Sequence, residues 1–73
     1  MQSFSGKKIV TTLCKKFDFE ILSQKGSHIK LRKAVDGENI TVIVPNHSEL
    51  AVGTFKNILR QARIDLQEFL SEV

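Results

Sequence analysis

The spacing of apolar residues changes twice along this chain, and that double change sets the order of its structural parts. Ile9, Val10, Leu13, Cys14 and Phe17 recur at helical intervals, with Lys7, Lys8, Thr11, Thr12, Lys15 and Lys16 in the gaps, which is the pattern of an amphipathic helix. Ser5 stands at its head as an N-cap whose hydroxyl can accept a bond from a first-turn amide. Lys15 and Lys16 suit the negative end of the helix dipole. From residue 19 the period drops to two, predicting strands over 19–24, 28–33 and 39–44. Gly26-Ser27 suits a two-residue hairpin turn with positive φ at its first position, and Asp36-Gly37 signals a second hairpin. Ile29 and Leu31 then share one face, His28, Lys30 and Arg32 the other, and Ile40, Val42 and Val44 line up together.

Pro45 ends the third strand because it has no amide for the ladder. After a polar loop over 46–49, Phe55, Ile58, Leu59 and Ala62 return to helical spacing over 52–62. Asp65 with Glu68 three residues on resembles a capping box opening a short last helix with Leu66, Phe69 and Leu70. The expected fold class is therefore α+β: a two-layer domain of helix, three-stranded antiparallel sheet and helix, with a short C-terminal helix. A chain of 73 residues has room for one such domain, over 1–73. One conflict stands inside this reading. A two-residue turn at Gly26-Ser27 puts Phe19 and Ile21 on the polar face with Arg32, so either that face is partly covered or the loop is longer.

Charge is divided unevenly. Up to Lys33, eight basic residues (Lys7, Lys8, Lys15, Lys16, Lys25, Lys30, Arg32, Lys33) face Asp18 and Glu20, a balance of +6. From Ala34 onward Lys56, Arg60 and Arg63 face six acids, a balance of −3. A polyanion-binding surface would draw on the first half, with a merely solvated lysine surface as the alternative. One cysteine and two distant histidines make neither an internal disulfide nor a structural zinc site. No run of eighteen apolar residues and no basic-then-apolar leader are present, so a cytoplasmic protein without a membrane partner is expected. Paired metal-ligand spacings and a glycine-rich phosphate loop are missing, so neither metal nor cofactor is expected.

Two histidines are the side chains to weigh for moving a proton. His28 is opposed to Lys25 across the first hairpin, and Lys30 and Arg32 continue its face. That grouping suits an imidazole that moves a proton beside cations that hold a phosphate. A surface or hairpin-anchoring histidine is the alternative, because one histidine is not a constellation. His47, in the loop after Pro45, is an auxiliary candidate beside turn-stabilising or exposed roles. Cys14 falls on the apolar side of its helix and reads as core.

Ser3-Phe4-Ser5-Gly6-Lys7, Gln24-Lys25-Gly26-Ser27-His28, Val44-Pro45 with His47, and Gly53-Thr54 leading into Ile58-Leu59-Arg60-Gln61-Ala62 together resemble the HicA family of mRNA interferase toxins. The resemblance spans nearly the whole chain, and its most specific element is Lys25-Gly26-Ser27-His28 entering a strand. It implies a fold like the double-stranded-RNA-binding domain, cleavage of mRNA, a catalytic role for His28, and a HicB-type antitoxin as partner. Two departures stand out. Arg63 follows Gln61-Ala62 where the family commonly has a helix-ending glycine, and Asp18 replaces a glycine before Phe19.

The leading expectation is a type II toxin acting as a metal-independent endoribonuclease with His28 as general base. Lys7, Lys8, Lys25, Ser27, Lys30 and Arg32 would bind RNA, with Gly26 and His47 auxiliary. DNA lacks the 2′-OH nucleophile and is expected not to be cut; direct DNA binding is not expected either. The alternatives are a non-catalytic RNA-binding module, which would show steep salt dependence and leave RNA intact, and a small interaction protein without RNA affinity.

Overall fold

Both hairpin turns take the backbone their residues favour. Gly26 has φ 58° and is followed by Ser27 in the ordinary negative region, while Asp36 and Gly37 have φ 51° and 80°, the paired positive values of a type I′ turn. The computed structural model describes residues 3–73; Met1 and Gln2 of the domain expected over 1–73 lie outside the described residues. Its elements are α1 (Gly6–Lys16), β1 (Glu20–Lys25), β2 (His28–Val35), β3 (Glu38–Pro45), α2 (Val52–Ala62) and α3 (Leu66–Glu72). The strands form one antiparallel sheet in the order β1-β2-β3, so the α+β expectation of helix, sheet, helix and short last helix is borne out.

One face of the sheet is covered. Ile29 and Leu31 of β2 and Ile40, Val42 and Val44 of β3 are buried in one cluster with Ile9, Val10 and Leu13 of α1, and with Phe55, Ile58, Leu59 and Ala62 of α2. The helices pack chiefly on β3, and β1 is exposed along its whole length. The other face of the sheet is left to solvent.

The conflict over the first strand is resolved by a β-bulge, not by a longer loop or a covered face. Lys25 pairs with His28, Gln24 with Ile29 and Ser23 with Lys30, as a two-residue turn requires, but the register shifts between Ser23 and Ile21. Leu22 is the extra residue, so Ile21 pairs with Leu31 and Glu20 with Arg32. One inserted residue exchanges the faces of everything before it. Phe19 turns to the core side, buried at 4% exposure, and the Lys33 ammonium lies 5.7 Å from its ring centroid.

Ser5 caps α1 as expected, its hydroxyl accepting from the Lys8 amide at 3.0 Å. The start of α1 is pressed against the end of β3: a Cβ on Gly6 would overlap the Pro45 carbonyl oxygen and approach the Asn46 Cα to 3.0 Å. The Gly6 amide donates to the His47 carbonyl at 2.9 Å, and the Leu50 amide to the Phe4 carbonyl at 3.0 Å. No larger residue than glycine permits that approach.

Asp18 and Arg63 adopt the left-handed backbone where glycine is customary, at φ 64° and 59°. Arg63 closes α2, its amide and that of Ile64 donating to α2 carbonyls, including that of Leu59. A side chain in this region costs about 1–2 kcal/mol, and the Arg63–Glu38 pair, at 3.5 Å and well exposed, returns little of it. Arg63→Gly is therefore expected to raise the unfolding free energy by about 1 kcal/mol, read as a higher urea midpoint at constant m; a lower midpoint would show that the arginine packs productively.

Candidate functional site

Strand pairing arranges the open face in rows across the sheet. The first row is Lys25, His28 and Pro45; the second is Ser23, Lys30 and Ile43; the third is Glu20, Arg32 and Thr41. The bulge at Leu22 gives the third row its acid. In a straight register that place would fall to Ile21.

His28 opens β2 and is exposed. An open groove of ≈ 760 Å³ lies over the first two rows, lined by Lys25, Gly26, His28 and Lys30 together with Ser23, Gln24 and Ile43. Gln24 braces the turn beneath it, its Nε2 donating to the Gly26 carbonyl at 3.2 Å. On the far side the Asn46 amide donates to the Ser27 carbonyl at 2.5 Å, tying the start of the polar loop to the residue before His28. His28 is thus flanked by β1 with Lys25 on one side and the end of β3 on the other.

The expected residues do not all gather here. Lys25, Gly26, His28 and Lys30 share the groove. Arg32 lies one row further and gives its guanidinium to Glu20 at 2.5 Å, with the two side chains 39% and 61% exposed. Its Nε is the buried side-chain polar atom left without a partner among the described residues. An exposed pair of this kind adds about 0–1 kcal/mol of stability, but it offsets the arginine's charge, so the positive field of the groove comes from Lys25 and Lys30. Ser27 sits in the turn, His47 is exposed in the loop, and Lys7 and Lys8 are exposed on α1, in the helix layer.

Ser23, Gln24, Ile43 and Glu20 were not singled out by sequence reasoning. Ile43 was accessible to it, since the alternation that buries Val42 and Val44 turns Ile43 outward. Glu20 was hidden by the bulge. Cys14 is partly buried against the core, and burial pushes its thiol pKa up, which favours the unreactive protonated form. Among the described residues no three of histidine, cysteine, aspartate and glutamate come together as a metal site would require, and no helix is long and apolar enough to cross a membrane.

A family model described as HicA toxin of bacterial toxin-antitoxin matches residues 6–64, from the start of α1 through the residue after the α2 cap. No curated protein and no solved structure matches the chain.

Proposed function

The chain belongs to the HicA toxin family, and from that premise we propose that it is the toxin of a type II toxin-antitoxin system, a metal-independent endoribonuclease that cleaves mRNA and so blocks translation. The observation that carries this reading is the row of Lys25 and His28 beside Lys30 in one open groove. The imidazole of His28 takes the proton of a ribose 2′-OH, and the 2′-oxygen attacks the adjacent phosphorus. The bond from phosphorus to the 5′-oxygen breaks, leaving a 2′,3′-cyclic phosphate on one fragment. The departing 5′-oxygen takes a proton from the imidazolium or from water. Lys25 and Lys30 stabilise the added charge of the phosphorane, and Arg32 extends the face beyond them with its charge shared by Glu20.

RNA supplies its own nucleophile, which is how so sparse a site can suffice. In this proposal residues 1–73 act as one cytoplasmic domain, and a HicB-type antitoxin covers the exposed face. A partner that binds only the folded chain also stabilises it by mass action.

A second reading, a non-catalytic RNA-binding module, is favoured by one observation: among the described hydrogen bonds none holds the His28 ring, whereas a catalytic base is commonly oriented by a third group. Digestion separates the two. With a chelator present, single-stranded RNA is expected to be cut and a DNA strand of the same sequence left whole; RNA bound with steep salt dependence but recovered intact would favour the module.

A further inference from the structure

Helix α1 carries four lysines, no acid, and a cost in its own first turn. Gly6, Ile9, Val10, Thr12 and Leu13 face the core, leaving Lys7, Lys8, Thr11, Lys15 and Lys16 exposed. None of the four lysines is in an ion pair among the described residues, where the pairs are Arg32–Glu20 and Arg63–Glu38. Lys15 and Lys16 lie in the last turn, where the helix dipole favours cations, so the fold accounts for them. Lys7 and Lys8 do the opposite. They follow directly on Gly6 in the first turn, which has no acid, and there the helix end is itself positive. Lys8 holds the place, three after the Ser5 cap, at which a capping box has Glu or Gln. The same chain obeys the rule in α3, which has Asp65 as its cap and Glu68 in its first turn. Two exposed cations that oppose their own helix, with no anion from the protein to offset them, are explained by an anion from outside.

Their position says which anion. The Gly6 amide is bonded to the His47 carbonyl, and the Asn46 amide to the Ser27 carbonyl, while His28 pairs with Pro45. The first turn of α1 and the His28 row thus lie at the same end of the domain, on opposite layers, with the exposed loop residue His47 between them. Lys7, Thr11 and Lys15 fall four apart along one side of the helix, and Lys7 and Lys15 stand about 12 Å apart along its axis at 1.5 Å per residue, a length over which a nucleic-acid backbone offers successive phosphates.

We propose that the outward face of α1, centred on Lys7 and Lys8, is a second RNA-backbone surface, and that the substrate strand leaves the His28 groove, passes over the 46–49 loop and continues onto this helix. The proposal rests on the reading of the groove as an RNA site. It makes substrate length, beyond the nucleotides that fill the groove, a determinant of affinity.

The test uses the full chain, single-stranded RNAs of graded length and a salt titration. Lys7→Gln with Lys8→Gln is expected to raise KM for long RNA about tenfold, the loss falling on KM and not on kcat, and to reduce the slope of log affinity against log salt by about 1.4, the share of two phosphate contacts on a single strand. The penalty should fade as the RNA is shortened to groove length. Lys8→Glu is expected to raise the thermal midpoint by a few degrees while weakening long RNA; a folding defect would lower both. An unchanged KM and salt slope, a penalty equal at all lengths, or weakened binding of a protein partner with RNA unaffected would each overturn the proposal. RNA neither bound nor cut by the unsubstituted chain would overturn the groove reading with it, whereas normal cleavage with an unmoved KM overturns this surface alone.

Discussion

Purified His28→Ala is expected to cleave RNA about 10²–10⁴-fold more slowly than the unsubstituted chain, the span that one positioned proton-transfer group supplies, while binding RNA nearly as well. The separation of the two effects follows from the rows of the open face. The imidazole projects from the start of β2 into solvent, makes no hydrogen bond among the described contacts and contributes nothing to the buried cluster, so its removal costs little stability. Lys25 opposite it and Lys30 in the next row stay in place, and in the proposed mechanism these carry the attraction for phosphate. Cleavage rate under single-turnover conditions, affinity from a binding titration and the far-UV circular dichroism spectrum, measured together, distinguish loss of chemistry from loss of fold. Undiminished cleavage by His28→Ala would remove the histidine from the mechanism. Equal loss of binding and cleavage would make it an RNA contact and not a base.

Phe69→Ala is expected to lower the unfolding free energy by about 3–5 kcal/mol, the usual cost of emptying a fully buried phenylalanine site. Phe69 has 0% exposure. Its ring lies 6.0 Å from those of Phe4 and Phe17 and 5.4 Å from that of Phe55, centroid to centroid, so one side chain of α3 joins the segment before α1, the end of α1 and the first turn of α2. Helix α3 has seven residues, too few to hold a helix in water unaided, and Phe69 is its one fully sheltered anchor. Domains of this size stand at the lower end of the usual 5–15 kcal/mol. The variant should accordingly be largely unfolded near body temperature or survive with a sharply reduced urea midpoint. An unfolding free energy within about 1 kcal/mol of the parent's would mean that the neighbouring rings close over the cavity. Because Phe4 also fixes the loop through the Leu50 amide, loosening α3 should loosen the end of the domain beside His28.

Most of the scaffold was legible because its signals are local. Gly26 and Asp36-Gly37 stand where positive φ is needed, Ser5 and Asp65 accept from amides of the helices they open, and alternation in β2 and β3 places every buried residue on the side expected of it. Arg63 and Asp18 were readable as glycine replacements from the resemblance to other toxins, and both keep the glycine conformation. The bulge at Leu22 was not legible, because no residue type marks it. Its trace was a contradiction: a short turn that fits Lys25 and His28 but exposes Phe19. Everything that depends on the bulge was hidden with it, above all the Glu20–Arg32 pair, which takes one of the expected cations partly out of the groove. The close seat of Gly6 on Pro45 was hidden for a different reason, since it joins parts of the chain far apart in sequence.

The central claim is that His28 turns the substrate's own 2′-OH on the neighbouring phosphate. It is tested most directly by digesting end-labelled RNA with the purified chain in the presence of a chelator and identifying the new termini. The account requires a 2′,3′-cyclic phosphate on one fragment and a 5′-hydroxyl on the other, with no cut at a site whose 2′-OH is replaced by hydrogen. Fragments ending in a 3′-hydroxyl and a 5′-phosphate, or cleavage that persists at the deoxy position, would contradict it.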